Sequence, residues 1–245
     1  MDLFYSIGPD GGALGDDSEL RWSLRSVAKF GRNVGRVIVG GHPPAWLSDE
    51  VVRFDCPRVP GRSHFALQWD CTMAAIDAGL LRGEFLIGDD DMFLTEPLDF
   101  STLPFYRRLD GGIRDFAHCG GGVNYRRMMD NTRRALAAAG YGTVKCNMHR
   151  FARLDAADAP EARRVASLAL DSYAGVDRAC VFQNIRAKRE KIEFRPTEDL
   201  KLASFNAAAV AGGVFSIRDA IFKDPAFTAF MRGAFGAPCK YEKDN

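Results

Sequence analysis

No stretch of this 245-residue chain approaches the ~18–20 consecutive apolar residues that a membrane-spanning helix needs, so no membrane span is expected. Close cysteine spacing is also missing. Cys56, Cys71, Cys119, Cys146, Cys180 and Cys239 are scattered singly with no CxxC pair, which argues against a disulfide framework and for reduced thiols. Charge bias is absent too: 33 Lys and Arg face 32 Asp and Glu, leaving a formal net charge of +1. Bulk charge therefore neither demands nor forbids a nucleic-acid partner, which a local basic patch would have to hold. There is no internal repeat, low-complexity tract or linker, and no basic leader precedes the apolar Leu3-Phe4-Tyr5. The expectation is a single cytoplasmic domain over residues 1–245.

What is present reads as α/β. Residues 3–7 are a buried strand ending in the loop Gly8-Pro9-Asp10-Gly11-Gly12. Asp16-Asp17-Ser18 offer capping oxygens to a helix in which Leu20, Leu24, Val27 and Phe30 share a face. Strands follow at 36–40 and 51–54, then a helix over 64–80 and a strand at 84–88. This order predicts an open, mostly parallel, Rossmann-like sheet flanked by helices. The second half reads as irregular α+β. Asn124 is a candidate cap for a basic helix running to 139, with further helices at 160–172, 176–190 and 225–235. Strands are expected near 191–195 and 212–217. Residues 1–100 are expected to bind nucleotide, and 101–245 to face the acceptor.

The strand at 84–88 runs directly into Asp89-Asp90-Asp91. In open α/β sheets, ligands sit beyond the carboxyl ends of the strands. Two carboxylates one residue apart there can ligate Mn²⁺ or Mg²⁺, which bridges the phosphates of a nucleoside diphosphate and neutralises the leaving group. Three adjacent acids at the end of a buried strand are costly unless a cation or donors compensate them. The plainer alternative is an acidic turn whose aspartates bond the backbone. Apolar flanks, Phe85-Leu86-Ile87 before and Met92-Phe93-Leu94 after, favour the cation site. On this reading Asp89 and Asp91 hold the metal and the diphosphate, and Asp90 orients the sugar or ligates from the other side.

Residues 18–26 (SELRWSLRS), 37–40 (VIVG) and 44–47 (PAWL) resemble the "ELRYSLRS…PxWL" block of Stealth-type proteins. Residues 85–94 (FLIGDDDMFL) are similar to that family's "FLFxNDDFFL" strand and acidic turn, and 235–242 (FGAPCKYE) to its "FPNPSKYE" close. The chain departs from the pattern at Asp89, where Asn is usual, and at 60–64, which lack the common Lys/Asn-rich run. Stealth-type proteins are bacterial capsule-polymer sugar-phosphate transferases and their relatives, including small bacterial and phage members. The resemblance implies a GT-A-like fold and a nucleoside-diphosphate sugar, a UDP-sugar above all, as donor. The location would be the host cytoplasm if the chain is phage-encoded. It also draws attention to His149, after Cys146-Asn147-Met148, where such proteins carry a histidine.

Ser6, Ile7, Gly8 and Asp10 are expected to cradle the nucleotide, since glycines let backbone N–H groups approach phosphate or base. The loop is neither a Walker loop nor a dinucleotide fingerprint, and a plain surface loop is the alternative. Arg21 and Arg25 share a helical face. Arg21 is placed to hold a leaving phosphate; the plainer reading is an ion pair with Asp17 or Glu19. His149 is a candidate metal ligand or a base on the acceptor. Cys146-x-x-His149 as half of a zinc site lacks a second pair. Arg126, Arg127, Arg133, Arg134, Arg150, Arg153, Arg163 and Arg164 form either a polyanion groove or, more simply, a solvated face. Asp199 and Lys201 are candidate donor or acceptor contacts.

Three functions follow as expectations. The first is glycosyl transfer to a hydroxyl of a glycan or of a hydroxymethylated DNA base. The second is sugar-1-phosphate transfer, as in Stealth-type proteins. The third is a non-catalytic DNA- or glycan-binding module on the same fold.

Overall fold

Alternation along the first strand sets up a core on both faces of one sheet. In the computed structural model, which describes residues 1–10, 12, 14–56, 59–206, 210 and 213–243, this strand is β1 (Asp2–Ile7). Leu3, Tyr5 and Ile7 pack with Leu20, Leu24 and Val27 of α1 (Ser18–Phe30). Phe4 points the other way, into a cluster that includes Trp69, Met73 and Ala75. Successive strand side chains face opposite sides, so a strand buried on both faces must be apolar throughout.

The chain continues through β2 (Gly31–Arg32), β3 (Val37–Gly41), β4 (Val51–Asp55), α2 (His64–Asp77) and β5 (Glu84–Gly88). Then come β6 (Met92–Leu94), β7 (Leu98–Asp99), β8 (Tyr106–Arg108), α3 (Val123–Ala138) and β9 (Ala152–Asp155). The remainder is α4 (Ala159–Ala166), α5 (Arg178–Glu190), β10 (Arg195–Thr197), β11 (Lys201–Leu202), β12 (Val214–Ile217), α6 (Asp219–Phe222) and α7 (Pro225–Phe235).

The central sheet has the order β4-β3-β1-β5-β9, parallel except for β9, which runs antiparallel to β5. It is a mostly parallel α/β sheet flanked by helices, compatible with a Rossmann-like fold. A second sheet, β11-β12-β6, positions the site. Its register pairs Lys201 with Ser216 and Ser216 with Met92, the residue after the acidic triplet. Behind it an aromatic cluster of Trp22, Phe93, Phe215, Phe222 and Phe227 joins α1 to α6 and α7. Gly88 closes β5 where a Cβ would lie 2.8 Å from the Phe151 ring, so only glycine lets the strand pass there undisturbed.

Local expectations met three corrections. The cap of α3 is Gly122, with Asn124 already inside the helix, and it makes no side-chain cap bond. Asp17 is the N-cap of α1 but is left-handed (φ 57°) and makes no cap bond; Asp16 Oδ1 instead accepts from Ser18 N–H at 3.0 Å. The strand expected near 191–195 begins at Arg195. Of the strand expected at 212–217, β12 covers Val214–Ile217, and Gly212 lies outside the described residues. All six cysteines are free thiols. Among the described residues, no helix is long and apolar enough to cross a membrane.

Residues 239–243 are fastened back onto the start of the fold. Glu242 accepts from Arg21 at 2.7 Å and from Arg25 at 2.6 and 2.7 Å, and Lys243 N–H bonds Trp46 O at 2.9 Å. Burial pushes the Glu242 carboxyl up, but the hydrogen bond and charge of Arg25, helped by Arg21, hold it below its usual value. A depressed folded pKa stabilises fully above the unfolded value of about 4.3 and fades as pH falls through the folded one. Glu242→Gln is expected to cost about 2 kcal/mol near neutral pH, since it leaves two half-buried guanidinium groups without their carboxylate. The gap from wild type should shrink in denaturant titrations at about pH 3. An equal gap at both pH values would contradict the pairing.

Candidate functional site

The acidic triplet lies beyond the carboxyl end of β5, at the base of a cleft of about 1070 Å³. Its walls include Glu19, His64 and Gln68 on one side and residues 120–125, Lys145, Asn147 and His149 on another, with Asp199 and Lys201 also lining it. The three aspartates differ in what compensates them. Asp89 Oδ1 takes Arg178 at 3.2 Å, the guanidinium being almost fully buried at the start of α5. Asp91 is buried, and its Oδ2 accepts from Lys201 Nζ at 2.8 Å and Ser216 Oγ at 2.9 Å. Burial pulls the Lys201 ammonium down, but the charge and hydrogen bond of Asp91 outweigh it and hold it above the ordinary value.

Asp90 has no basic partner among the described residues. Its own surface is only half-buried, yet it sits deep in the cleft, where desolvation, then Asp91, Glu19 and Asp89, push its carboxyl well above the usual range. Three consecutive carboxylates therefore meet two basic side chains. The shortfall falls at Asp90, which lines the cleft.

Lys145, Asn147 and His149 are alternate residues of one segment and all three line the cleft, whereas Cys146 and Met148 between them do not. His149 is left-handed (φ 47°), a conformation uncommon outside glycine, and its Nδ1 lies 2.6 Å from Asp199 Oδ1. A carboxylate can only accept, so Nδ1 carries a proton, and in the neutral form of the ring Nε2 is then the acceptor. Burial would raise the Asp199 carboxyl, but the hydrogen bond and charge of His149 bring it down to about 2.

A smaller pocket of about 70 Å³ adjoins the cleft and is lined by Ser6, Ile7, Gly8, Asp10, Gly41, His42 and Asp70. It sits at the carboxyl ends of β1 and β3, and His64 and Gln68 line both spaces. The structure thus brings the expected nucleotide contacts Ser6, Ile7, Gly8 and Asp10 together, next to the triplet. Gly11 of the same loop lies outside the described residues.

Two expectations about the site are corrected. Arg21 does not line the cleft; it is held by Glu242, and its guanidinium stacks 4.0 Å from the Trp46 ring centre. Its pairing partner is thus neither Asp17 nor Glu19. Asp89, Asp91 and His149 do not assemble as a metal-ligand set. Among the described residues, no three of His, Cys, Asp and Glu converge on a common metal position. The reason is local: Asp91 is turned to Lys201 and Ser216, and His149 to Asp199.

The arginine-rich stretch is largely neutralised. Arg127 pairs with Asp171, Arg133 and Arg134 with Asp130, Arg163 with Asp77 and Arg164 with Glu161. Arg126 stacks on Phe116, Arg150 on Tyr106, and Arg153 reaches Glu84 at 3.8 Å. A solvated, paired face describes it better than a polyanion groove.

Sequence reasoning missed Glu19, His64, Gln68, Lys145, Asn147 and Arg178. For two of them a signal existed: His64 and Gln68 are one helical turn apart on a mostly apolar helix, and both line the site. Arg178 and Lys145 are isolated basic residues that belong to no motif and carry no local mark.

No protein-family model matches the chain, and no curated protein matches it.

Removing the cation from Asp91 should be felt as a buried, uncompensated charge. Lys201→Met is expected to destabilise by about 1–3 kcal/mol. Adding Asp91→Asn to Lys201→Met should recover most of that loss in urea unfolding. Simple additivity of the two losses would show that the pair is not coupled.

Proposed function

We propose that this chain is a divalent-cation-dependent, GT-A-like transferase that moves a sugar from a nucleoside-diphosphate sugar to a hydroxyl. The observation that carries it is the mismatch at the carboxyl edge of the parallel sheet: three carboxylates, two basic partners and one unmatched carboxylate facing a large cleft. The donor set fits a hard cation shared with substrate. Mg²⁺ and Mn²⁺ are commonly held by one or two carboxylates, with phosphate oxygens and water completing the shell. Asp89 and Asp90, which line the cleft, are those two, in place of the set Asp89, Asp91 and His149. When bound, the ion neutralises charge growing on the leaving diphosphate.

The chain's own residues do the rest. Ser6, Ile7, Gly8 and Asp10 shape the pocket for the nucleoside, and the shared His64 and Gln68 make it continuous with the triplet. Lys201 and Ser216 hold Asp91 still, so the turn that carries Asp89 and Asp90 is fixed. Asp199 fixes the His149 tautomer, which lets Nε2 take the proton from an acceptor hydroxyl. The Stealth-type resemblance supports the same site, and its sugar-1-phosphate variant differs in which donor bond breaks.

UDP titrated calorimetrically with Mn²⁺ is expected to bind, with binding lost without the ion and weakened at least tenfold in Asp90→Asn. Metal-independent binding, or no binding of any nucleoside diphosphate, would overturn the reading. The nucleotide released in turnover separates the chemistries, a diphosphate for glycosyl transfer and a monophosphate for sugar-phosphate transfer. For the base, His149→Gln should lower kcat by on the order of 10²-fold or more with UDP affinity unchanged. An unchanged kcat would remove His149 from the chemistry.

A further inference from the structure

The cleft has a second charged feature, on the wall away from the triplet, that donor binding does not use. Helix α3 begins there on three consecutive glycines. Its N-cap, Gly122, supplies no side-chain oxygen, and its first turn contains no acidic residue. The leading N–H groups of a helix have no partner within it, and the aligned peptide dipoles place partial positive charge at that end. At Gly120 and Gly122 nothing stands within 4 Å of where a Cβ would be, so the helix end is open. Gly121, at φ +95°, lies against Tyr125, its Cβ position 2.7 Å from the ring, so a side chain there would be doubly excluded.

Lys145 is the independent sign of a ligand. It is 7% exposed, yet among the described residues its ammonium makes no hydrogen bond or ion pair; it lies 5.6 Å from the Tyr125 ring, and its charge acts on Asp199 only at longer range. The backbone fixes the residue, with Arg108 N–H donating to Lys145 O at 2.9 Å and Lys145 N–H to Gly111 O at 3.3 Å. Lysines are almost never this buried without a partner, and here the stem is covered while the ammonium opens on the cleft. Lys145 and the Gly120–Gly122 turn flank the same Tyr125 ring and line the same cleft. An unpaired ammonium on a buried stem beside an open, uncapped helix start is a site for an anion.

We propose that Lys145 and the amino-terminal end of α3 form a second anion site that binds a phosphate group carried by the acceptor. This rests on the transfer reading above and deepens it. The donor diphosphate is accounted for at Asp89 and Asp90. Lys145 and His149 lie four residues apart on one segment and line the same cleft, so a group held by Lys145 belongs to the molecule that His149 deprotonates. The acceptor is thereby a phosphorylated one, not a neutral sugar.

Inorganic phosphate is the probe, followed by amide NMR of the whole chain with and without saturating UDP and Mg²⁺. Phosphate should saturably shift Gly121, Gly122, Val123 and Asn124, and should still do so with UDP and Mg²⁺ bound. Lys145→Met should weaken it at least tenfold. Gly122→Asp should do the same without harming the fold, because an N-cap carboxylate occupies those N–H groups and raises thermal stability. Phosphate shifts unaffected by either substitution, or absent altogether, would overturn the site. Shifts abolished by UDP and Mg²⁺ would overturn the acceptor assignment, since the donor's phosphates would then be using it. UDP binding and phosphate binding are read separately, so the donor reading and the anion site fail independently.

Discussion

The contact on which the site depends is the clamp of Lys201 and Ser216 on Asp91. It ties the turn between the end of β5 and the start of β6 to the second sheet, β11-β12-β6. A buried carboxylate must be compensated, and the register of β11 and β12 brings an ammonium and a hydroxyl to it together. With Asp91 spent as a structural anchor, the turn is held firmly enough for Asp89 and Asp90 to face the cleft. A triplet of like charges is thus divided into one anchor, one half-compensated group and one uncompensated group.

The first hundred residues were largely legible because each element announces itself locally. Leu20, Leu24 and Val27 repeat at helical spacing, and the continuous apolar runs of β1, β3 and β5 mark strands buried on both faces. The triplet's place at a sheet edge follows directly from that order. What the triplet touches does not. Lys201 and Ser216 lie 110 and 125 residues further along, on strands of two and four residues too short to show a period. Arg178 reaches Asp89 across 89 residues.

Arg21 shows the same limit from the other side. Its helical face was readable, as was its pairing with Arg25 in position, but not that Glu242, 221 residues away, would fill that face. Periodicity reports which way a side chain points and says nothing of what arrives from a distant segment. Asp91 and His149 do not come together for this reason: each has a partner delivered by the 199–216 segment. The plain reading of the arginine-rich helix held because its partners are mostly close at hand, as with Asp130 for Arg133 and Arg134.

The cleft is lined both by the triplet at the β5 edge and by the open end of α3 with Lys145. A molecule lying between them would bring phosphate to both, at one end through a cation and at the other directly. The most direct measurement is a crystal structure with UDP and Mn²⁺, with anomalous scattering recorded at the manganese edge. The expected result is one anomalous peak within ligating distance of the Asp89 and Asp90 carboxylates and of the diphosphate, with Asp91 still on Lys201. Manganese and nucleotide bound away from the triplet, or Asp91 leaving Lys201 to ligate the ion in place of Asp90, would contradict it.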